Sequence, residues 1–286
     1  MYWAYLFAWR LIGILPEKIA YGIGAKAADY IFSKNGKGVR RLRSNYARVL
    51  PQISEQELNK LTKDGMRSYL RYWIDTFRLN TWSKDQIVST TTVVNEHLLR
   101  DPIKSKQGCL VVLPHAGNWD HAAAYFCSTG INLSTVAEKL KPEAIFLKFL
   151  AYRESIGIEV LHTEQKVIPT LLERLNEGKL VALVADRDLS RNGIEVDFLG
   201  GTAKMPSGPA RLILDSNAAF ISAYITYNKV GIHIEFQEIG PKPESGTDEE
   251  KVIALTQLMA NNFAAGIKRS PVDWHMLQRI WVDEKN

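Results

Sequence analysis

Hydrophobic positions along the 286-residue chain change their period near residue 109. Upstream, Leu58, Leu61, Met66, Tyr69, Leu70, Trp73 and Phe77 recur at three- and four-residue steps, the spacing of one buried helix face. Ser54, with Glu57 three positions on, forms a capping box at the start of that pattern. Residues 17–32, EKIAYGIGAKAADYIF, also have helical spacing, so residues 1–82 are predicted to be all-helical. Downstream, short apolar runs alternate with amphipathic segments. Strands are predicted at 109–113 (CLVVL), 133–138, 158–161, 180–186 and 194–199. Helices are predicted at 118–129, 142–155, 167–177 and 205–216. Two further strands, 219–227 and 231–239, flank an Asn228–Gly231 turn, and a last amphipathic helix covers 248–268. Such alternation implies an α/β fold with a mixed, largely parallel central sheet flanked by helices. Residues 1–82 form a helical N-terminal, membrane-associating layer of the same domain, and 83–286 form the α/β core.

In sheets of this kind ligands bind outside the carboxyl ends of the strands. Three stretches fall there: PHAGNWD (114–120), ADRDLSRNG (185–193) and the loop GGTAKMPSG (200–208). His115 sits where a strand gives way to a helix that Asn118 can cap, with Asp120 in its first turn. A carboxylate on Nδ1 would fix the imidazole tautomer so that Nε2 can take a proton from a hydroxyl. The same spacing also suits a structural histidine with Asp120 as a helix-end charge. His115 and His121 fall on different sides of the helix, and no cluster has metal-ligand spacing. There is no phosphate-binding glycine fingerprint and no Gly-x-Ser-x-Gly nucleophile elbow. A base without a protein nucleophile points to direct attack by a substrate hydroxyl. The second stretch and the strand after it hold Asp186, Asp188, Glu195 and Asp197 with Arg187 and Arg191. Acids there can bind a polyol and guanidinium groups a phosphate, unless the loop is only a solvated charged surface. Glu195 and Asp197 share a strand face, from which one carboxylate could reach His115. Lys204 is a further phosphate candidate.

Composition adds little: 46% hydrophobic and 23% charged residues are ordinary for a globular chain, and the net charge is +5. The charge is uneven, however. Residues 34–48, KNGKGVRRLRSNYAR, carry no acid, and they follow an aromatic-rich N-terminus, MYWAYLFAWRLIGIL, that stops at Pro16, short of the roughly 20 residues a spanning helix requires. That stretch has no basic n-region or cleavage site of a secretory signal. Together the two segments give two weak anchoring signals for an anionic membrane surface, against the alternative that both pack on the protein. The basic run lacks interleaved aromatics, which disfavours nucleic acid. Cys109 and Cys127 read as reduced core residues.

The motif His115-x4-Asp120 resembles that of the bacterial lipid A late acyltransferase superfamily, and in particular its actinobacterial phosphatidylinositol mannoside acyltransferase branch. Residues 44–51 (SNYARVLP), 138–161, 185–212 and 270–281 (SPVDWHMLQRIW) are similar to the family's further blocks, in order, so the resemblance covers nearly the whole chain. It implies transfer of a palmitoyl-like fatty acyl group from acyl-CoA to the 6-hydroxyl of a mannose on a phosphatidylinositol mannoside. His115 would be the general base, Glu195 the acid that holds it, and Asp120 a supporting residue. Arg153, Lys166, Arg187 and Lys204 would face CoA or inositol phosphates, with Asp186 and Asp188 beside the sugar. Backbone N–H groups near Gly117 are candidate oxyanion donors. The resemblance implies no metal and no cofactor, acyl-CoA being a co-substrate, and a peripheral enzyme on the cytoplasmic face of the plasma membrane. Lipid A enzymes usually carry Glu where this chain has Asp120, which disfavours a lipid A-like acceptor; that acceptor and a non-catalytic lipid-binding protein are the alternatives.

Overall fold

The computed structural model describes residues 11–137, 143–162, 167–188 and 193–282. The N-terminal layer is helical, as its periodicity predicts: α1 (Glu17–Ser33), α2 (Lys37–Val49) and α3 (Glu55–Arg78). At the start of α3 the Ser54 hydroxyl accepts from the Glu57 N–H while the Glu57 carboxylate accepts from the Ser54 N–H. The inner face of α1 consists of small residues, Ala20, Gly24 and Ala28, which let it lie close against α3. Its large apolar residues Ile19, Ile23, Tyr30 and Ile31 are exposed. Among the described residues no helix is long and apolar enough to cross a membrane. The aromatic segment 1–10 lies outside the described residues.

After α4 (Lys84–Ser89), β1 (Thr91–Val94) and α5 (His97–Lys104), the chain enters the predicted alternation. It runs β2 (Cys109–Leu113), α6 (Trp119–Ser128), β3 (Leu133–Ala137), α7 (Glu143–Ser155), β4 (Ile158–His162), α8 (Val167–Asn176) and β5 (Leu180–Val184). A hairpin, β6 (Ile194–Phe198) and β7 (Gly201–Met205), leads into α9 (Gly208–Leu214), β8 (Ala219–Tyr227), β9 (Ile232–Glu238) and α10 (Asp248–Arg269). The central sheet has seven strands in the order β1-β9-β8-β2-β5-β3-β4. All neighbours in it are parallel except the antiparallel β8–β9 pair. Its central strand β2 is buried on both faces. Leu110 and Val112 of β2 join a core with Leu171 of α8, Ile213 of α9 and Phe263 of α10. Val111 and Leu113 face the other way, toward Leu99 of α5 and Phe126 of α6.

Two expectations change. Residues 194–198 do not extend the central sheet; they pair with 201–205 as a separate antiparallel hairpin. The segment GGTAKMPSG is therefore half strand, and the helix predicted from 205 begins only at Gly208. The cause is the turn: Leu199 and Gly200 both take positive φ (49° and 80°), so two residues suffice to reverse the chain. β1, the β-branched run Thr91–Val94, was not predicted; it is an edge strand parallel to β9.

The chain after α10 returns as an extended strap across the carboxyl edge, held by the helical layer. Asn45 of α2 donates from Nδ2 to the carbonyls of Met276 (2.7 Å) and Gln278 (3.1 Å). Its Oδ1 accepts from the Trp281 indole at 2.9 Å. The Tyr46 hydroxyl is shared between the carbonyls of Val272 and Trp274, each at 3.2 Å. Tyr46 reaches them past Gly65 of α3, where a Cβ would fall 2.3 Å from its hydroxyl oxygen. The two terminal sequence blocks, 44–51 and 270–281, thus form one hydrogen-bonded unit. Replacing Asn45 with Ala strands two buried polar groups, the Met276 carbonyl and the Trp281 indole, and should lower unfolding free energy by about 2 kcal/mol, read as a reduced urea midpoint at unchanged m-value.

Candidate active site

β2 and β5 are adjacent parallel strands in register, Leu113 opposite Val184. Ala185 continues the ladder, donating to the Leu113 carbonyl at 2.9 Å. His115 and Asp186 each lie two residues beyond that last pair, so equal offsets bring them together at the carboxyl edge. His115 Nδ1 stands 2.5 Å from Asp186 Oδ1. Asp186 Oδ2 accepts from the His115 backbone N–H at 3.0 Å and from the Trp274 indole at 2.9 Å. Asp186 has no solvent exposure. Burial alone would raise its pKa, but the His115 ring and the donors around it outweigh that, and the carboxyl sits below its ordinary value. An ionised carboxylate on Nδ1 places the ring proton there and leaves Nε2 as the basic nitrogen. The His115 side chain is 28% exposed, and its Nε2 makes no hydrogen bond to any described residue.

The turn carrying His115 is clamped by the strap. Gly117 N–H donates to the Asp273 carbonyl (2.9 Å), His275 N–H to the His115 carbonyl (2.7 Å), and Ala116 bridges Trp274. Gly117 takes φ +59°, and a Cβ there would fall 2.6 Å from the Ile225 carbonyl oxygen, so a side chain has no room. Its N–H is engaged by Asp273 and does not offer the oxyanion donor expected at that position. Asn118 caps α6 as predicted, accepting from His121 N–H at 2.9 Å.

Beside the dyad lies a narrow apolar cleft of about 100 Å³. Val111 and Leu113 of β2, Ala182 and Val184 of β5, and Ala223 and Ile225 of β8 form its sheet wall. Trp119, Ala122 and Phe126 of α6 form the facing wall. The Trp119 ring stands edge-on to the His115 ring, 5.6 Å between centroids.

The acids assigned to His115 lie elsewhere. Asp120 is buried and accepts from Arg153 Nε (2.8 Å) and Nη2 (2.8 Å) and from the Tyr72 hydroxyl (3.0 Å). It holds the guanidinium that lines the cleft instead of orienting the histidine. Glu195 does not hold His115 either. Its β6 position faces solvent, its side chain is 58% exposed, and its partner is Lys204 across the hairpin at 3.5 Å. Asp197 is likewise exposed. Asp186, assigned to the sugar, occupies the place given to Glu195. Asp188 donates its N–H to the Lys204 carbonyl at 2.8 Å. Arg187 follows the dyad, half-buried, and its buried Nη1 has no hydrogen-bond partner among the described residues. Lys166 and Arg191 lie outside the described residues. Among the described residues no group of His, Cys, Asp or Glu could hold a metal, and both cysteines are free. Trp274 and Tyr72 were missed as site residues.

Residues 1–283 match the family model of the bacterial lipid A biosynthesis acyltransferases. The chain belongs to this family. It is 36% identical over 281 residues to a phosphatidylinositol mannoside acyltransferase of Mycolicibacterium smegmatis, covering 97% of this chain and 90% of that one. It is also 36% identical over 288 residues to a protein of the same name from Mycobacterium tuberculosis H37Rv, covering 98% and 88%.

Two further histidines near this dyad are buried and neutral. His121 contacts the hydroxyls of Thr90 and Thr91 at 3.2 Å, and burial pushes its pKa down to about 4. His275 Nε2 lies 2.9 Å from Ser68 Oγ, which donates to Asp273 Oδ1 at 2.6 Å. Burial, with the nearby His115 ring, pushes His275 down to about 3. Between that value and the ordinary 6.5 the unfolded chain binds a proton there that the folded chain does not, so this group makes stability rise with pH over that range and is costly as the pH drops below 6.5. His275→Gln removes it. Measured by urea unfolding at several pH values, wild type should lose about 1.4 kcal/mol per pH unit relative to the variant below 6.5.

Proposed function

We propose that this protein transfers a long-chain, palmitoyl-like acyl group from acyl-CoA to the 6-hydroxyl of a mannose on a phosphatidylinositol mannoside. The observation that carries this reading is the His115–Asp186 contact beside an apolar cleft. His115 Nε2 takes the proton of the mannose hydroxyl as its oxygen attacks the thioester carbonyl. The oxyanion forms next to the Arg153 guanidinium, which Asp120 and Tyr72 hold in the cleft wall. Collapse breaks the C–S bond, and the CoA sulfur takes the proton back from the imidazolium. The acyl chain lies along the apolar sheet face. Arg187, Lys204 and Lys166 would meet phosphates of the donor or acceptor, and Asp188 the sugar. The reaction needs no metal or other cofactor.

Two features support a peripheral position on anionic lipid, at the cytoplasmic face of the plasma membrane. The exposed face of α1 carries Ile19, Ile23, Tyr30 and Ile31, and α2 exposes Lys37 and Arg40 beside it in sequence. Large apolar side chains outside and small ones inside reverse the usual polarity of a surface helix, which suits burial in an apolar medium. The double change Ile19→Glu with Ile23→Glu should cut co-sedimentation with anionic vesicles several-fold, leaving the circular dichroism spectrum unchanged. Undiminished sedimentation would contradict the anchoring role.

The reaction is tested with radiolabelled palmitoyl-CoA offered mannosylated phosphatidylinositol, a lipid A precursor or water alone. Label should appear in the mannosylated lipid. His115→Ala should lose about a thousandfold or more, and Asp186→Asn about a hundredfold or more. Glu195→Gln should stay within about twofold of wild type, as expected for an exposed ion pair. Label in the lipid A precursor would reassign the acceptor, label released to water would make the protein a thioesterase, and no turnover would leave a lipid-binding protein.

A further inference from the structure

We propose that Trp274 is a positioning residue of the His115–Asp186 dyad, acting through the hydrogen bond from its indole to Asp186 Oδ2. The proposal rests on the reading of His115 as the base. A carboxylate without access to water needs a donor on each oxygen. Oδ1 has the His115 ring. Oδ2 has the His115 backbone N–H, present whatever the residue, and the Trp274 indole, the one side-chain donor it receives among the described residues. An indole N–H can only donate, so this contact persists in one sense and discriminates between the two carboxylate oxygens.

The indole is itself immobilised. Trp274 is wholly buried, edge-on to Phe198 with 6.1 Å between ring centroids. Its backbone N–H closes a turn onto the Pro271 carbonyl at 3.0 Å, and its carbonyl accepts from Tyr46. The neighbouring Asp273 is tied to α3 by Ser68 and to β8 by the Tyr227 N–H at 3.0 Å. Contacts therefore run without a break from the helical layer through the strap to the dyad. Drawing electron density from Oδ2, the indole makes the carboxylate a weaker base. That favours the proton on imidazole Nδ1 and Nε2 as the free lone pair. The other titratable groups facing this corner are His275, the Asp273 carboxyl, the Tyr224 hydroxyl that donates to the Ser270 carbonyl, and the Asp120–Arg153 pair.

Trp281 supplies an internal control. It is also buried on the strap, and its indole donates to Asn45 at an equal 2.9 Å, away from the dyad. Trp274→Phe and Trp281→Phe are compared with wild type as full-length chains. The readouts are urea unfolding, ¹³C NMR titration of the labelled dyad carboxyl and imidazole carbons, and steady-state acyl transfer from palmitoyl-CoA to mannosylated phosphatidylinositol. Both variants should lose stability. Only Trp274→Phe should raise the pH at which the dyad takes up its proton, by about half a unit or more. It should also lower kcat about tenfold, with KM for palmitoyl-CoA unchanged. A folded Trp274→Phe protein whose dyad titrates as in wild type, or Trp281→Phe giving the same shift, overturns the proposal. Should Trp274→Phe not fold, wild-type sequence labelled with 5-fluorotryptophan, a stronger N–H donor, decides. The dyad midpoint then falls if Trp274 donates to it and stays in place if it does not. Wild type that shows the titration behaviour but no acyl transfer would defeat the proposed reaction while leaving the role of Trp274 standing.

Discussion

A carboxylate sealed from water is stable as an anion only where the protein replaces its hydration with donors, and Asp186 is such a group. One imidazole, one backbone N–H and one indole converge on it. The donors come from two distant parts of the chain: His115, in the turn after β2, supplies two and Trp274 of the C-terminal strap the third. The parallel β2–β5 register brings the first pair together, and the strap cannot reach its place without Asn45, Tyr46 and Ser68 of the helical layer. Much of the architecture at the carboxyl edge serves to complete the shell around one anion.

From that constraint follows a division of the sheet. One face packs conventionally against α8, α9 and α10, while the other leaves an apolar cleft under α6 that begins beside the histidine. Within the H-x4-D motif the two ends serve different purposes. The histidine belongs to the dyad, and the aspartate, in the first turn of α6, fixes Arg153 in the cleft wall with help from Tyr72. Spacing of five along the chain therefore records a strand-to-helix turn that aims a base and a cation at one region, not a pair of groups in mutual contact.

Most of the fold was legible in the sequence because its signals are local. The alternation of apolar runs with amphipathic segments, the Ser54–Glu57 capping box and the Asn118 cap each depend on neighbours a few residues away. His115 stood out for the same reason, at the end of a buried strand. Its partner did not, because Asp186 is 71 positions distant and identified only by strand pairing. The available signal was the equal offset of the two residues past CLVVL and LVALV, which becomes readable once those strands are taken as neighbours. The family resemblance directed attention to Glu195, which lies on a separate two-stranded hairpin outside the central sheet, on its solvent side. Trp274 and Tyr72 went unmarked, since nothing in their local pattern distinguishes an indole or hydroxyl that reaches a buried acid.

The ring nitrogens of His115 report most directly on whether the Asp186 carboxylate governs the site. A ¹⁵N–¹H long-range correlation spectrum of the selectively labelled protein at neutral pH should show the proton on Nδ1 and a bare, pyridine-like Nε2. An Asp186→Asn protein should lose that pattern. A proton on Nε2 in wild type, or an unchanged spectrum without the carboxylate, would mean that Asp186 does not set the histidine and that the base lies elsewhere.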